Sequence, residues 1–220
     1  MNAPSPQLDW VRLFRIARSL IRQVNSEQVI IDHWTFGGGT AMMLQIDHRE
    51  SYDIDIFLSD PQLLSFLDPQ KRDFQFEIKP SAYWGDGVGS LRLVFDGVGQ
   101  IDFIVARALT TSPTTQASIE GGIVLLESIP EIVTKKIYYR GSGLKPRDIF
   151  DIAAAGECDE APLVKELRNY RDEVAKALAT IERLDVEFVD RAIAQLAIKD
   201  KYKVIAKRAL SRSTEILRAV

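Results

Sequence analysis

The sequence predicts an α+β fold in two parts, a sheet-bearing half to about residue 120 and a mainly helical half after it. Three observations carry this. Short runs rich in β-branched and aromatic residues recur up to about residue 126, set apart by glycine turns. Beyond about residue 128 the apolar residues recur at three-to-four spacing behind recognisable helix starts. Between the two patterns, the Ser/Thr/Pro-rich stretch 110–116 reads as a loop and candidate linker. The expected division is a core over 1–120 and a helical region over 121–220.

In chain order, Ser5-Pro6 opens a helix whose apolar face is Trp10, Phe14, Ala17, Ile21 and Val24. Residues 28–36, with Val29, Ile30 and Ile31, read as a strand broken by Gly37-Gly38-Gly39, and 40–46 as a short helix. Residues 52–58 alternate aspartate with apolar residues and read as a strand. A short helix is expected at 60–67, then strands at 74–79, 91–95 and 100–105, the last two joined by a hairpin through Gly97 and Gly99. One more short strand is expected at 123–126. Ser128-Ile-Pro-Glu131 is a capping box and starts a helix to about 139. Pro146 starts another, and three more are expected near 160–182, 185–198 and 200–217.

The 220 residues are 46% hydrophobic and 27% charged, which excludes a disordered chain. No apolar run reaches the roughly 20 residues of a membrane span, and the N-terminus has no secretory pattern. A single cysteine, Cys158, rules out an intramolecular disulfide and a cysteine-rich zinc site, and two histidines, His33 and His48, speak against a histidine-based metal centre. A cytoplasmic protein with no membrane partner is expected. Net charge is −3, but residues 196–220 carry seven Lys/Arg against two acids, which leaves the remainder at −8. Lys199, Lys203 and Lys207 repeat every four residues, as on one face of a helix able to track a phosphate backbone.

The chemistry lies in Gly38-Gly39-Thr40 followed about fifteen residues later by Asp53-Ile54-Asp55. Side chains two apart on a strand share a face, so both carboxylates project together while Ile54 and Ile56 enter the core. Carboxylates held that close repel unless a cation lies between them, and oxygen-only ligands suit Mg²⁺. Gly38 and Gly39 at a strand-to-helix turn leave backbone N–H groups open to a phosphate. Together these describe a nucleoside-triphosphate site. Trp84, beside Gly85-Asp86-Gly87, reads as an anchor of that loop or, less favoured, as a base-stacking residue.

Gly-Gly-Thr and then His48-Arg49-x-Ser51-x-Asp53-Ile-Asp55 resembles the polymerase-β-type nucleotidyltransferases, and among them the AbiEii/AbiGii toxin family of type IV toxin–antitoxin and phage-abortive systems, related to the MenT toxins. A second block agrees with that family: Lys135-Lys136 followed by Arg147-Asp148-Ile-Phe-Asp151. The third glycine, Gly37, departs from the family, which more often has a larger residue there. The resemblance implies a polymerase-β-like mixed sheet flanked by helices, followed by a C-terminal helical bundle. It implies a third carboxylate on a later strand, for which Asp102 is the candidate; Asp96, before Gly97, reads better as a turn residue. It also implies that Lys136 and Asp148 join Asp53, Asp55 and Asp102 as catalytic groups, that Gly38, Gly39, Thr40, Arg49, Ser51, Lys136 and Arg147 hold the nucleotide, and that Asp151 orients Arg147. His48 reads better as a capping or packing residue.

The reaction expected is transfer of a nucleoside monophosphate from an NTP to an acceptor hydroxyl. Two Mg²⁺ ions, with Mn²⁺ as the alternative, would be held by Asp53, Asp55 and Asp102. The implied acceptor is RNA, tRNA first, and the implied partner an antitoxin protein. The competing expectations are a small-molecule or protein acceptor, and a non-catalytic nucleotide-binding module.

Overall fold

Alternation at 54–58 gives a strand because Ile54, Ile56 and Leu58 are buried while Asp55 and Phe57 are half-buried. In the computed structural model, which describes residues 9–220, that strand is β2 (Ile54–Leu58) of a mixed seven-stranded sheet. Its companions are β1 (Thr35–Gly37), β3 (Ala82–Gly85), β4 (Ser90–Phe95), β5 (Gly99–Val105), β6 (Thr114–Ile119) and β7 (Gly122–Glu127), in the order β3-β4-β5-β2-β1-β7-β6. The helices are α1 (Asp9–Val24), α2 (Gly38–Ile46), α3 (Leu64–Leu67), α4 (Ile129–Arg140), α5 (Pro146–Leu167), α6 (Arg171–Ile181), α7 (Val186–Ala194), α8 (Lys203–Ala206) and α9 (Ala209–Arg218). The expected helix start at Ser5-Pro6 lies outside the described residues.

The chain forms two compact units that interleave in sequence. The first runs to Ala41 and adds Ser51–Arg107 and Thr114–Glu127, so it holds the whole sheet with α1 and α3. Its core is a cross-strand row of apolar residues. Leu126, Phe36, Ile56, Phe103 and Leu91 are register partners in β7, β1, β2, β5 and β4, and all are buried. α1 packs on β2 and β5 with Leu13, Phe14, Ala17, Leu20 and Ile21, and the Phe14 and Phe36 rings lie 4.9 Å apart.

The second unit comprises Met42–Glu50, Ala108–Pro113 and Ser128–Val220. Its centre is α5, which packs against α4, α7, α8 and α9, and which is buried throughout 148–156. α5 kinks at Asp159, ahead of Pro162, whose missing N–H breaks the ladder there.

Several expected elements fold differently, each for a local reason. Of the strand expected at 28–36 only Thr35–Gly37 pairs, because the Asn25 side chain takes the Ile30 and Ile31 amides and the Ile31 carbonyl. The stretch 74–79 is not a strand: Gln23 of α1 bonds both the N–H and the C=O of Gln75 and so replaces a ladder. Residues from Thr114 on, read as loop, are strand β6 paired with β7. The helix expected at 200–217 is a 3₁₀ turn (Asp200–Tyr202), α8 and α9. Lys199 therefore precedes any helix and bonds Glu50, while Lys203 pairs with Asp200, so the even lysine face does not form. No helix among the described residues is long and apolar enough to cross a membrane.

Candidate active site

The polar face of the sheet is a second cross-strand row, one residue out of step with the core row. β2 and β5 run parallel with Asp55 opposite Asp102. β5 and β4 run antiparallel with Asp102 opposite Arg92, and β4 and β3 with Arg92 opposite Trp84. On the other side Asp55 stands opposite Gly37 of β1. Register partners project to one face, so Trp84, Arg92, Asp102, Asp55 and Gly37 line up across five strands.

The chain leaves β1 into α2 through Gly38 at φ 71, a left-handed conformation in which side chains are strained. A Cβ at Gly38 would also sit 1.9 Å from Asp55 Oδ2, so the first residue of α2 lies directly against the Asp55 carboxylate. A Cβ at Gly37 would meet Glu127 Oε2 at 2.2 Å, which accounts for the third glycine. Asp53 immediately precedes β2. Its carbonyl accepts the Thr40 hydroxyl at 2.5 Å, that hydroxyl lies 3.2 Å from Ser51 Oγ, and Asp53 Oδ1 accepts the Gln100 amide at 3.2 Å. Thr40, wholly buried, and Ser51 thus fix the backbone that presents Asp53.

Arg92 is the member of the row that sequence reasoning missed. Its Nε and Nη2 donate to the two oxygens of Asp102 at 2.6 and 2.8 Å, and Gln100 Nε2 adds a third bond at 3.1 Å. The hydrogen bonds to Asp102 raise the guanidinium's pKa above its usual value against the opposing effect of burial, and the charges of Asp102, Asp55 and Asp53 add to the rise. All three carboxylates therefore act on one cation.

The donor set fits a hard divalent ion in kind: three carboxylates, Asp55 and Asp102 in register and Asp53 two residues before Asp55. In the arrangement described the Arg92 fork holds Asp102, and among the described residues no three His, Cys, Asp or Glu side chains are drawn into a ligand cluster. Arg92 and a divalent ion would compete for the same oxygens.

The second sequence block makes a separate cluster inside the helical unit. Asp151 of α5 is fully buried; Arg49 reaches both its oxygens at 2.8 and 3.0 Å, Lys136 of α4 bonds it at 2.9 Å, and His48 Nε2 at 2.9 Å. Asp148, also fully buried, is held by Lys136 at 2.8 Å, Arg140 at 2.7 Å and the Lys145 amide at 3.1 Å. Burial alone would raise both pKa values, but the charges of Arg49 and Lys136 at Asp151, and of Lys136 and Arg140 at Asp148, outweigh it and lower both, Asp151 the more. Burial lowers the His48 pKa, and its Nδ1 has no hydrogen-bond partner among the described residues. Asp151 thus engages Arg49, Lys136 and His48, not Arg147, which is exposed in the first turn of α5.

A glycine turn closed on one strand carboxylate, with a second carboxylate in register beside it, is the arrangement expected of a nucleotidyltransferase. The sequence makes this specific. The family model for the nucleotidyl transferase AbiEii toxin of type IV toxin–antitoxin systems matches residues 19–216, and the chain belongs to that family. It is therefore a nucleotidyltransferase. No curated protein matches the sequence significantly. Among solved structures, the chain is similar to the Bradyrhizobium diazoefficiens CD-NTase CdnG in complex with GTP, at 13% identity and a TM-score of 0.40, covering all of this chain and 88% of that one. It is also similar to a STING-associated CdnE c-di-GMP synthase from Capnocytophaga granulosa, at 10% identity and a TM-score of 0.32, covering 99% of this chain and 81% of that one.

Proposed function

We propose that the chain transfers a nucleoside monophosphate from an NTP to a hydroxyl of an RNA acceptor, with tRNA the first candidate, as the toxin of a cytoplasmic toxin–antitoxin pair. The observation that carries the reading is the in-register pair Asp55 and Asp102 beside the Gly38 turn. Asp53, Asp55 and Asp102 are the residues that would hold Mg²⁺, two ions in the full set, which supply charge neutralisation on the triphosphate and a lowered pKa at the acceptor hydroxyl. Gly38 and Gly39 open α2 with their N–H groups toward the triphosphate, where the helix dipole favours negative charge. Asp102 is the proton acceptor for the attacking hydroxyl, and Arg92, turned off Asp102, is the side chain placed to follow a phosphate.

The buried cluster has a positioning role in this reading. Asp151 holds His48 and Arg49, Lys136 ties Asp151 to Asp148, and Arg49 lies four residues before Asp53 in the chain. Arg147 lies exposed in the first turn of α5, outside that cluster.

The test is a transfer screen: each labelled NTP with Mg²⁺ and total RNA, against an Asp53→Ala/Asp55→Ala variant. Label in RNA that the variant fails to produce is expected. Label only in protein or small molecules would replace the acceptor, and equal transfer by the variant would remove the carboxylates from the chemistry.

A further inference from the structure

Trp84 closes the polar row at the sheet edge, and it is not the loop anchor its sequence neighbourhood suggests. It lies on β3, the edge strand, with 55% of its surface exposed. The Arg92 guanidinium sits 5.9 Å from its ring centroid, and Asp102 holds that guanidinium from the far side. The indole is therefore braced by a cation and still open to solvent.

The surroundings are preorganised too. The β3–β4 turn is fixed by Asp86, whose Oδ1 accepts the amides of Val88, Gly89 and Ser90; these bonds, that of Ser90 foremost, pull its pKa down to about 2. A cleft of about 310 Å³ opens beside the strand, lined by Tyr83, Trp84, Lys71, Gln70, Asp68 and Ser90. That volume is at the lower end for small-molecule sites. Asp68 is turned back onto the Gln70 amide, while Lys71 makes no ion pair among the described residues. One exposed aromatic ring, one uncommitted cation and several amide and hydroxyl groups suit a nucleobase with its phosphate.

Position decides which nucleotide. The Gly38 turn, where the triphosphate belongs in the reading above, lies on the β1 side of Asp55. Trp84 lies on the opposite side, beyond Asp102 and Arg92, three strands or about 14 Å from Asp55. In-line displacement requires the attacking hydroxyl to approach opposite the departing pyrophosphate. The acceptor therefore enters from the Trp84 side. We propose that Trp84, braced by Arg92 and with Lys71 on the adjoining cleft, is the stacking platform for a base of the single-stranded acceptor. This rests on the transfer reading for its direction, but its test needs no turnover.

The experiment measures affinity by fluorescence anisotropy, using a labelled single-stranded RNA oligonucleotide of mixed sequence and, separately, a fluorescent ATP analogue. The full chain is compared with Trp84→Ala, Trp84→Phe and Lys71→Ala, with circular dichroism confirming each fold. Trp84→Ala should weaken RNA binding about tenfold, Trp84→Phe should stay within about threefold because a ring remains, and ATP affinity should not change. Lys71→Ala should lower the slope of log affinity against log salt by about one. RNA affinity indifferent to Trp84→Ala overturns the platform. So does a loss confined to the ATP analogue, which would hand the ring to the donor nucleotide. RNA binding that depends on Trp84 in a chain that transfers nothing supports the platform and overturns only the transfer reading.

Discussion

The charge cluster on the sheet and the one inside the helical unit are built on opposite principles. On the sheet, Asp53 and Asp55 are half-buried and Asp102 is held by one guanidinium that is itself partly exposed. Inside the helical unit, Asp148 and Asp151 are sealed from solvent and engaged by Lys136, Arg49, Arg140 and His48. Both contain aspartates and basic residues at family-like spacing, so the family resemblance implied both for the reaction. Their geometry separates them. A carboxylate that works on a substrate must be reachable and must be able to exchange partners. In the reading proposed above, a carboxylate whose oxygens are all bonded below the surface positions its neighbours.

The largest effect that would test this contrast is on stability. Asp151→Asn leaves Arg49 and Lys136 buried beside a neutral group, and breaking such a cluster costs about 3–5 kcal/mol. Urea unfolding should show that loss, whereas Asp55→Asn, at the half-exposed site, should unfold within about 1 kcal/mol of the parent. Equal losses would erase the distinction between the clusters.

A smaller effect is expected with pH. Burial lowers the His48 pKa in the folded chain, so between that lowered value and about 6.5 the unfolded chain takes up a proton that the folded chain refuses. Stability should therefore fall as pH drops below about 6.5. Asp148 and Asp151, whose pKa values are depressed, contribute stability above the usual carboxylate range and lose it as pH falls below about 4. Melting curves from pH 8 to pH 3 should show both arms, and His48→Gln should flatten the upper one alone. An upper arm unchanged by His48→Gln would place the titrating group elsewhere.

Much of the polar face was legible in the sequence, because β alternation has a period of two and puts Asp55 on the side opposite Ile54 and Ile56 without any tertiary knowledge. Asp102 followed from the same rule once a third carboxylate was sought. Arg92 was missed although a signal existed: in a hairpin turning about Gly97, residues equidistant from the turn pair, and 92 and 102 are equidistant. What could not be read was competition from side chains for the backbone. Asn25 and Gln23 satisfy segments that composition assigns to strands, and Glu131 pins the Leu109 and Thr110 amides. Such bonds join residues from 5 to 52 positions apart in sequence and leave no periodicity. The burial of Lys136 and Asp148 was not legible for a related reason: spacing shows that charges meet, not whether water reaches them.

The most direct test compares one residue from each cluster in the same RNA-labelling assay, with rates divided by the folded fraction measured in parallel. Asp102→Asn should lose at least about a thousandfold in rate while staying folded, as expected when a group acting directly on the reacting atoms is removed. Asp148→Asn should keep transfer within about tenfold per folded molecule, as expected of a group that acts through position alone. A fully active Asp102→Asn enzyme, or a folded Asp148→Asn enzyme as inactive as the Asp53→Ala/Asp55→Ala variant, would contradict the account.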